Sequence, residues 1–130
     1  MRATPFLMFQ EGKAEEAMKF YVSLFDDGEI VIIKRYGPEG PGAEGTVCRA
    51  NFRVAGLAVR CIDSPVKHQF GFTPSFSFFI DCETEQQLNK LIAAISAGGT
   101  ALMPPDNYGF SRKFAWFSDR FGVSWQLNLP

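Results

Sequence analysis

Hydrophobic periodicity in this chain gives the same order of elements twice, and that repetition limits the fold more than any single motif does. Thr4–Phe9 is a short, almost wholly apolar run ended by Gln10-Glu11-Gly12, which predicts a buried strand. From Lys13 the period lengthens. Ala14, Ala17, Met18, Tyr21, Val22 and Phe25 fall on one helical stripe, with Glu15 and Glu16 near the start, where the helix dipole favours anions. Asp26-Asp27-Gly28 ends that helix. Glu29–Tyr36, Val47–Val54 and Leu57–Ile62 predict three strands, with Ala55-Gly56 as the tight turn between the last two. Gly37–Gly45, dense in glycine and proline, predicts an exposed loop.

The second half repeats this order. Ser75–Cys82 predicts a strand, and Thr84-Glu-Gln-Gln87 a capping box. Leu88, Leu91, Ile92 and Ile95 mark one helical face, which Gly98-Gly99 terminates. Thr100–Met103 predicts a strand, Pro104–Ser111 a loop, and Lys113–Ser118 another strand. Asp119-Arg-Phe-Gly122 is a turn and Val123–Leu129 the closing strand. The expectation is a single α+β domain over 1–130, built from a βαβββ module at 1–63, a connector at 64–74 and a second βαβββ module at 75–130. Each module would be a half-barrel sheet with its helix on the outer face. The two together would leave a concave, partly apolar cleft.

Composition narrows the chemistry. The chain of 130 residues has one His and three Cys, so a site built on two or three imidazoles cannot form within one copy. Cys48, Cys61 and Cys82 are widely spaced with no CxxC, which predicts reduced thiols serving as small apolar residues. A formal net charge of −1 argues against nucleic acid or an anionic membrane as the main partner. With no long apolar run, a cytoplasmic location without a membrane span is expected. Of the Phe residues, Phe6, Phe9, Phe52, Phe70, Phe72, Phe76, Phe78, Phe79, Phe110, Phe114, Phe117 and Phe121 spread over many elements. Most are expected in the core, with a minority lining the cleft.

Several segments carry a specific likeness. Pro5-Phe-Leu-Met-Phe9, Ala14-Glu-Glu-Ala-Met-Lys-Phe-Tyr21, Phe76-Ser-Phe-Phe-Ile80, Gly98-Gly99 and above all Asp119-Arg-Phe-Gly-Val-Ser-Trp-Gln-Leu-Asn128 resemble the vicinal oxygen chelate superfamily. That superfamily holds glyoxalase I, extradiol dioxygenases and bleomycin-resistance proteins, and the likeness is to its PhnB-like branch. Many relatives there carry the description 3-demethylubiquinone 3-methyltransferase. The resemblance implies a homodimer. In metal-using members it also implies four ligands, one from the first and one from the last strand of each module. Here the last-strand positions, four residues after Gly56 and Gly122, are Arg60 and Gln126. The first-strand positions are Phe6 (or Pro5) and Ser75, or Ser77 if the register shifts by two. Arg60 is a cation and Phe6 has no donor atom, so neither a metal nor another cofactor is expected.

Strand alternation puts Arg60 with Ala58 and Ile62, and Gln126 with Ser124 and Asn128. The resemblance makes these the cleft-facing sides. The expected site is Arg60 as an anion or carbonyl clamp, with Gln126, Ser75, Phe6, Ser124, Trp116 and Tyr36 around a small aromatic or anionic molecule. The alternative is an enzyme acting on a small carbonyl or quinone-like substrate, either metal-free or dependent on a divalent metal. Methyl transfer from S-adenosylmethionine is not expected, because the order of elements lacks the alternating β/α array and glycine-rich turn of a doubly wound fold. His68, in a polar loop, is expected to be exposed and idle rather than a general base.

Overall fold

The computed structural model describes residues Met1–Pro130. Strands and helices follow in the order β1 (Phe6–Phe9), α1 (Ala14–Ser23), β2 (Glu29–Arg35), β3 (Val47–Val54), β4 (Leu57–Asp63), β5 (Ser77–Asp81), α2 (Glu85–Ser96), β6 (Thr100–Asp106), β7 (Lys113–Ser118) and β8 (Ser124–Leu129). The chain divides into two compact units, Met1–Phe70 and Gly71–Pro130. In the first the sheet order is β1-β4-β3-β2, and in the second β5-β8-β7-β6. Both have one parallel pair, β1 with β4 and β5 with β8, and are otherwise antiparallel. The expected α+β architecture of two βαβββ modules is therefore present.

In the first unit, α1 buries Ala14, Ala17, Met18 and Tyr21. These meet Leu7, Phe9, Ala50, Phe52, Val54, Val59 and Cys61, which alternate onto one face of the sheet. The start of α1 has no side-chain cap from Lys13. Instead the buried Asp63 carboxylate accepts from Ala14 N at 2.9 Å and from Val47 N at 2.8 Å, tying the helix to the ends of β3 and β4. An anion at a helix N-terminus also suits the dipole.

In the second unit, Leu88, Leu91 and Ile95 of α2 pack on Phe78, Phe117, Trp125 and Leu127. Trp125 is 0% exposed, with its ring centroid 4.8 Å from that of Phe78. Burying such a ring contributes about 4–5 kcal/mol as an upper bound. The expected capping box forms with a shift. Thr84 Oγ1 accepts from Gln87 N, and Gln87 Oε1 accepts from Glu83 N, one residue before the cap.

Two strand boundaries differ clearly from the sequence expectation. β6 runs on through Pro104-Pro105 to Asp106, where a loop was expected. It is an edge strand with register shifts at these positions, so the missing N–H groups interrupt no central ladder. β5 begins at Ser77, leaving Ser75 and Phe76 in the preceding turn. The Phe distribution is also less core-like than expected. Phe9, Phe52, Phe78, Phe114 and Phe117 are buried, whereas Phe6, Phe70, Phe76, Phe79 and Phe110 are exposed, on loops or on sheet faces opposite the helices.

Candidate functional site

Register identifies which side chains stand together on the sheet face opposite each helix. In the first unit Phe6 pairs with Arg60, Arg60 with Asn51, and Asn51 with Ile32. In the second, Phe79 pairs with Gln126, Gln126 with Trp116, and Trp116 with Met103. These rows are counterparts in the repeat. Each begins with a half-exposed phenylalanine, Phe6 at 53% and Phe79 at 52%. Each then continues to a hydrogen-bonding side chain on the last strand.

Arg60 is half-buried, and its only side-chain bond is a long one, Nε donating to Asn51 Oδ1 at 3.4 Å. Its terminal guanidinium nitrogens are left for another acceptor. Gln126 is also half-buried, and no hydrogen bond within the chain engages its amide. Trp116 shares the Gln126 face, and its Nε1 donates to Ser124 Oγ at 2.8 Å. Ser124 is buried and lies 2.6 Å from Ser77 Oγ. Trp116 therefore offers a ring face and not its N–H, while Ser124 and Ser77 hold the ring in place.

Two expected site residues lie elsewhere. Ser75 precedes β5, is exposed, and shares a hydrogen bond with Thr73 Oγ1. The first-strand partner of Gln126 is Phe79, which the sequence reading did not single out. Aligning Pro74 with Pro5 misplaces this position, because the second unit inserts a turn between its proline and its strand. Tyr36 is buried and donates its hydroxyl to Asp63 O at 3.1 Å. A Cβ at Gly42 would collide with the Tyr36 ring, so the glycine-rich loop at 37–45 packs around an aromatic side chain and needs no phosphate to explain it.

The motif Asp119-Arg-Phe-Gly-Val-Ser-Trp125 is architectural. Asp119 Oδ1 accepts from Phe121 N at 2.8 Å and Val123 N at 3.0 Å, and Oδ2 accepts from buried Trp125 Nε1 at 2.9 Å. Gly122, with φ of 90°, takes the left-handed position that this turn requires. One carboxylate thus fixes the hairpin that sets the register of Gln126.

Further along the Gln126 face lies a cluster of aromatic rings. Phe110 meets Phe114 edge-on with centroids 5.0 Å apart, Tyr108 stacks on Phe110 at 6.3 Å, and Phe79 lies 6.2 Å from Phe114. Beside Phe114 in the register, Asn128 donates Nδ2 to Asp81 Oδ1, while its buried Oδ1 has no partner. Nothing in the sequence distinguished these rings from core residues.

His68 is half-buried rather than free in solvent. Its ring stacks on Phe70 with centroids 4.6 Å apart, its backbone N–H donates to Gln10 Oε1 at 2.7 Å, and Nε2 lies 3.0 Å from Ser64 Oγ. Ser64 Oγ donates to Val66 O at 2.7 Å, so the His68 Nε2–H tautomer satisfies all three groups. Together with Gln10, Glu11, Pro65, Val66 and Lys67, these two residues line a cavity of about 520 Å³. Burial pushes the Cys61 thiol up to about 12 and raises that of Cys82, so both are poor nucleophiles. Cys48 is exposed.

A metal does not fit the counterpart rows. In the first unit Phe6 has no donor atom and Arg60 is a cation, which leaves the amide oxygen of Asn51; in the second Phe79 has none, which leaves that of Gln126; about three protein ligands are needed. Nor does any group of three or more His, Cys, Asp and Glu side chains come together elsewhere. No helix is long and apolar enough to cross a membrane.

Comparison with known proteins adds to this geometry. Residues 1–128 match the family model described as 3-demethylubiquinone-9 3-methyltransferase. A PhnB protein from Bacillus cereus is 52% identical over 100% of both chains, with a TM-score of 0.96. A protein from Pseudomonas aeruginosa is 24% identical over 99% of this chain and 97% of its own, with a TM-score of 0.85. A glyoxylase/bleomycin resistance protein/dioxygenase domain from Frankia is 14% identical over 99% and 90%, with a TM-score of 0.69, a likeness of fold. No match is found among the curated proteins.

Proposed function

We propose that this chain, which belongs to the 3-demethylubiquinone-9 3-methyltransferase family, a PhnB-like branch of the glyoxalase fold, is a metal-independent binding protein for a small aromatic or anionic molecule. The observation that carries the reading is the row Phe79–Gln126–Trp116. It presents a half-exposed ring and a fixed indole face on either side of an unengaged amide, the composition expected of a site for a planar ring with one polar group. Taken by itself, the first unit's row Phe6–Arg60–Asn51 likewise presents a half-exposed ring beside a half-buried guanidinium without a carboxylate, suited to an anionic or carbonyl oxygen.

Methyl transfer finds no support in these residues. The junctions from strand to helix, Gln10–Lys13 and Cys82–Thr84, are not glycine-rich phosphate or nucleoside loops, and each sheet has a single parallel pair. Calorimetric titration with 1-hydroxy-2-naphthoate and 1,4-naphthoquinone, with and without chelator, tests the proposal. Both probes should bind regardless of chelator. Phe79→Ala should weaken both by about tenfold, the loss of one ring contact. Binding that chelator abolishes, or that Phe79→Ala leaves unchanged, would refute the reading. Consumption of more than one equivalent of quinone by Cys48→Ser, which lacks the exposed thiol that would itself add to the quinone ring, would favour the enzyme alternative, with Arg60 polarising a carbonyl toward attack by water. Homodimer formation stands as a proposal beside it, read from sedimentation.

A further inference from the structure

The first unit carries four cations on the sheet face opposite its helix, Lys34, Arg49, Arg53 and Arg60, and only Arg53 has an acid, Glu29 at 3.2 Å. Arg49 stands two residues before Asn51 on β3 and so shares a face with Arg60. Lys34 of β2 is directly opposite Arg49. Directly opposed side chains have Cβ atoms about 5 Å apart and diagonal ones about 7–8 Å, so Arg60, Arg49 and Lys34 bring their charged ends within reach of one small group.

Like charges opposed across a ladder are destabilising, and the rest of the sheet avoids them. Arg35 holds the Glu15 carboxylate through two bonds, at 2.8 and 3.1 Å, and Arg53 holds Glu29 at 3.2 Å. Lys34, Arg49 and Arg60 have no ion pair, although the chain has 14 acidic residues for 13 Lys and Arg. The fold does not require cations here. In the repeat, Trp116 replaces Asn51, Phe114 replaces Arg49, and Asp106 stands opposite Phe114. The apolar neighbours Phe6, Met8, Ile62 and Ile32 on the same face offer these cations no competing acceptor.

We infer that this face is the receptor for a compact dianion, a phosphate group or a paired carboxylate, gripped by Arg60, Arg49 and Lys34. The inference deepens the proposed function and rests on its reading of these sheet faces as the binding surface. A neutral ligand or a single carboxylate would satisfy Arg60 and leave the Lys34–Arg49 repulsion standing. A group with two negative charges and several oxygens answers all three, with the arginine forks supplying bidentate contacts.

The experiment is thermal unfolding at constant ionic strength in acetate, inorganic phosphate or malonate, for the wild type, Lys34→Gln and Arg49→Gln. Phosphate, malonate or both should raise the wild-type Tm above its value in acetate, by mass action on the native state. A rise with phosphate alone identifies a phosphate group, and one with malonate alone a dicarboxylate. In acetate, each variant should melt about 1–2 °C above the wild type because the repulsion is gone, and each should lose the dianion increment. An increment of equal size in the variants, or variants that melt below the wild type in acetate, overturns the inference. Titration of Lys34→Gln with 1-hydroxy-2-naphthoate separates the two readings. In the wild type, naphthoate binding with no dianion increment removes this inference alone, and absence of both removes the proposed function with it; Lys34→Gln should keep naphthoate binding while losing the dianion increment, and loss of both in that variant overturns the separation.

Discussion

Replacing Asp119 by Asn tests whether the most distinctive motif in the chain is architecture. Asn retains one oxygen. If that oxygen stays on Phe121 N and Val123 N, the amide nitrogen faces Trp125 Nε1–H across a separation of 2.9 Å, donor against donor. Trp125 is fully buried, so its orphaned N–H costs about 1–3 kcal/mol. The two backbone bonds pass from a charged to a neutral acceptor and lose about 0.5–1 kcal/mol each. The expected total is about 3 kcal/mol, a large part of the 5–15 kcal/mol typical of a whole domain. Urea unfolding followed by circular dichroism reads this loss. Trp125→Phe removes the orphaned donor, so the double variant Asp119→Asn/Trp125→Phe should lose about 1–2 kcal/mol less than the sum of the singles. A loss below about 1 kcal/mol for Asp119→Asn, or additivity within about 0.5 kcal/mol, would refute the reasoning.

Two further outcomes follow from local geometry. Ala55 and Gly56 have φ of 47° and 81°, a turn that asks a Cβ-bearing residue for a left-handed conformation. Ala55→Asn should stabilise the protein by about 0.5–1 kcal/mol in thermal unfolding, and an unchanged or lower Tm would contradict the strain argument. Hydrogen bonds from Arg35 and then Lys19 hold the Glu15 carboxyl down to about 2 from the usual 4.5. Since the folded value lies below the unfolded one, the stabilisation is complete above about pH 4.5 and is lost as the pH falls toward 2. Glu15→Gln should therefore be less stable by about 0.5–1 kcal/mol at neutral pH, given how exposed the partners are, and no less stable near pH 2. A deficit of the same size at both pH values would exclude this origin.

Much of the fold was legible because it depends on local pattern. β3 and β7 have the expected boundaries, Val47–Val54 and Lys113–Ser118, since alternation and turn residues bracket them directly. The repeat itself located Arg60 and Gln126, each four residues after a hairpin glycine in a register set by that hairpin. The partner of Gln126 was not legible. β5 and β8 are parallel neighbours separated by most of the second unit, so no turn length links their registers, and Phe79 occupies the place where Ser75 or Ser77 was expected. Tyr36 sits at the end of an alternating strand, yet its burial depends on a loop closing over it at Gly42. The unpaired state of Lys34 and Arg49 depends on which carboxylates reach them, which requires coordinates.

The proline pair on β6 has a bearing on how the protein behaves at high concentration. A sheet edge with free N–H and C=O groups is a template on which further chains can stack, and repeated stacking leads to fibrils. Of the consecutive Pro104 and Pro105 one stands where an N–H would face outward, so that template lacks a donor there, and the register shifts beside them break the even spacing that an incoming strand would need. The outer edge of the second unit's sheet is thereby a poorer template for stacking at this end, although its face carries exposed aromatic rings. The residues that seemed to end a strand in the sequence act in the folded chain as its guard against aggregation.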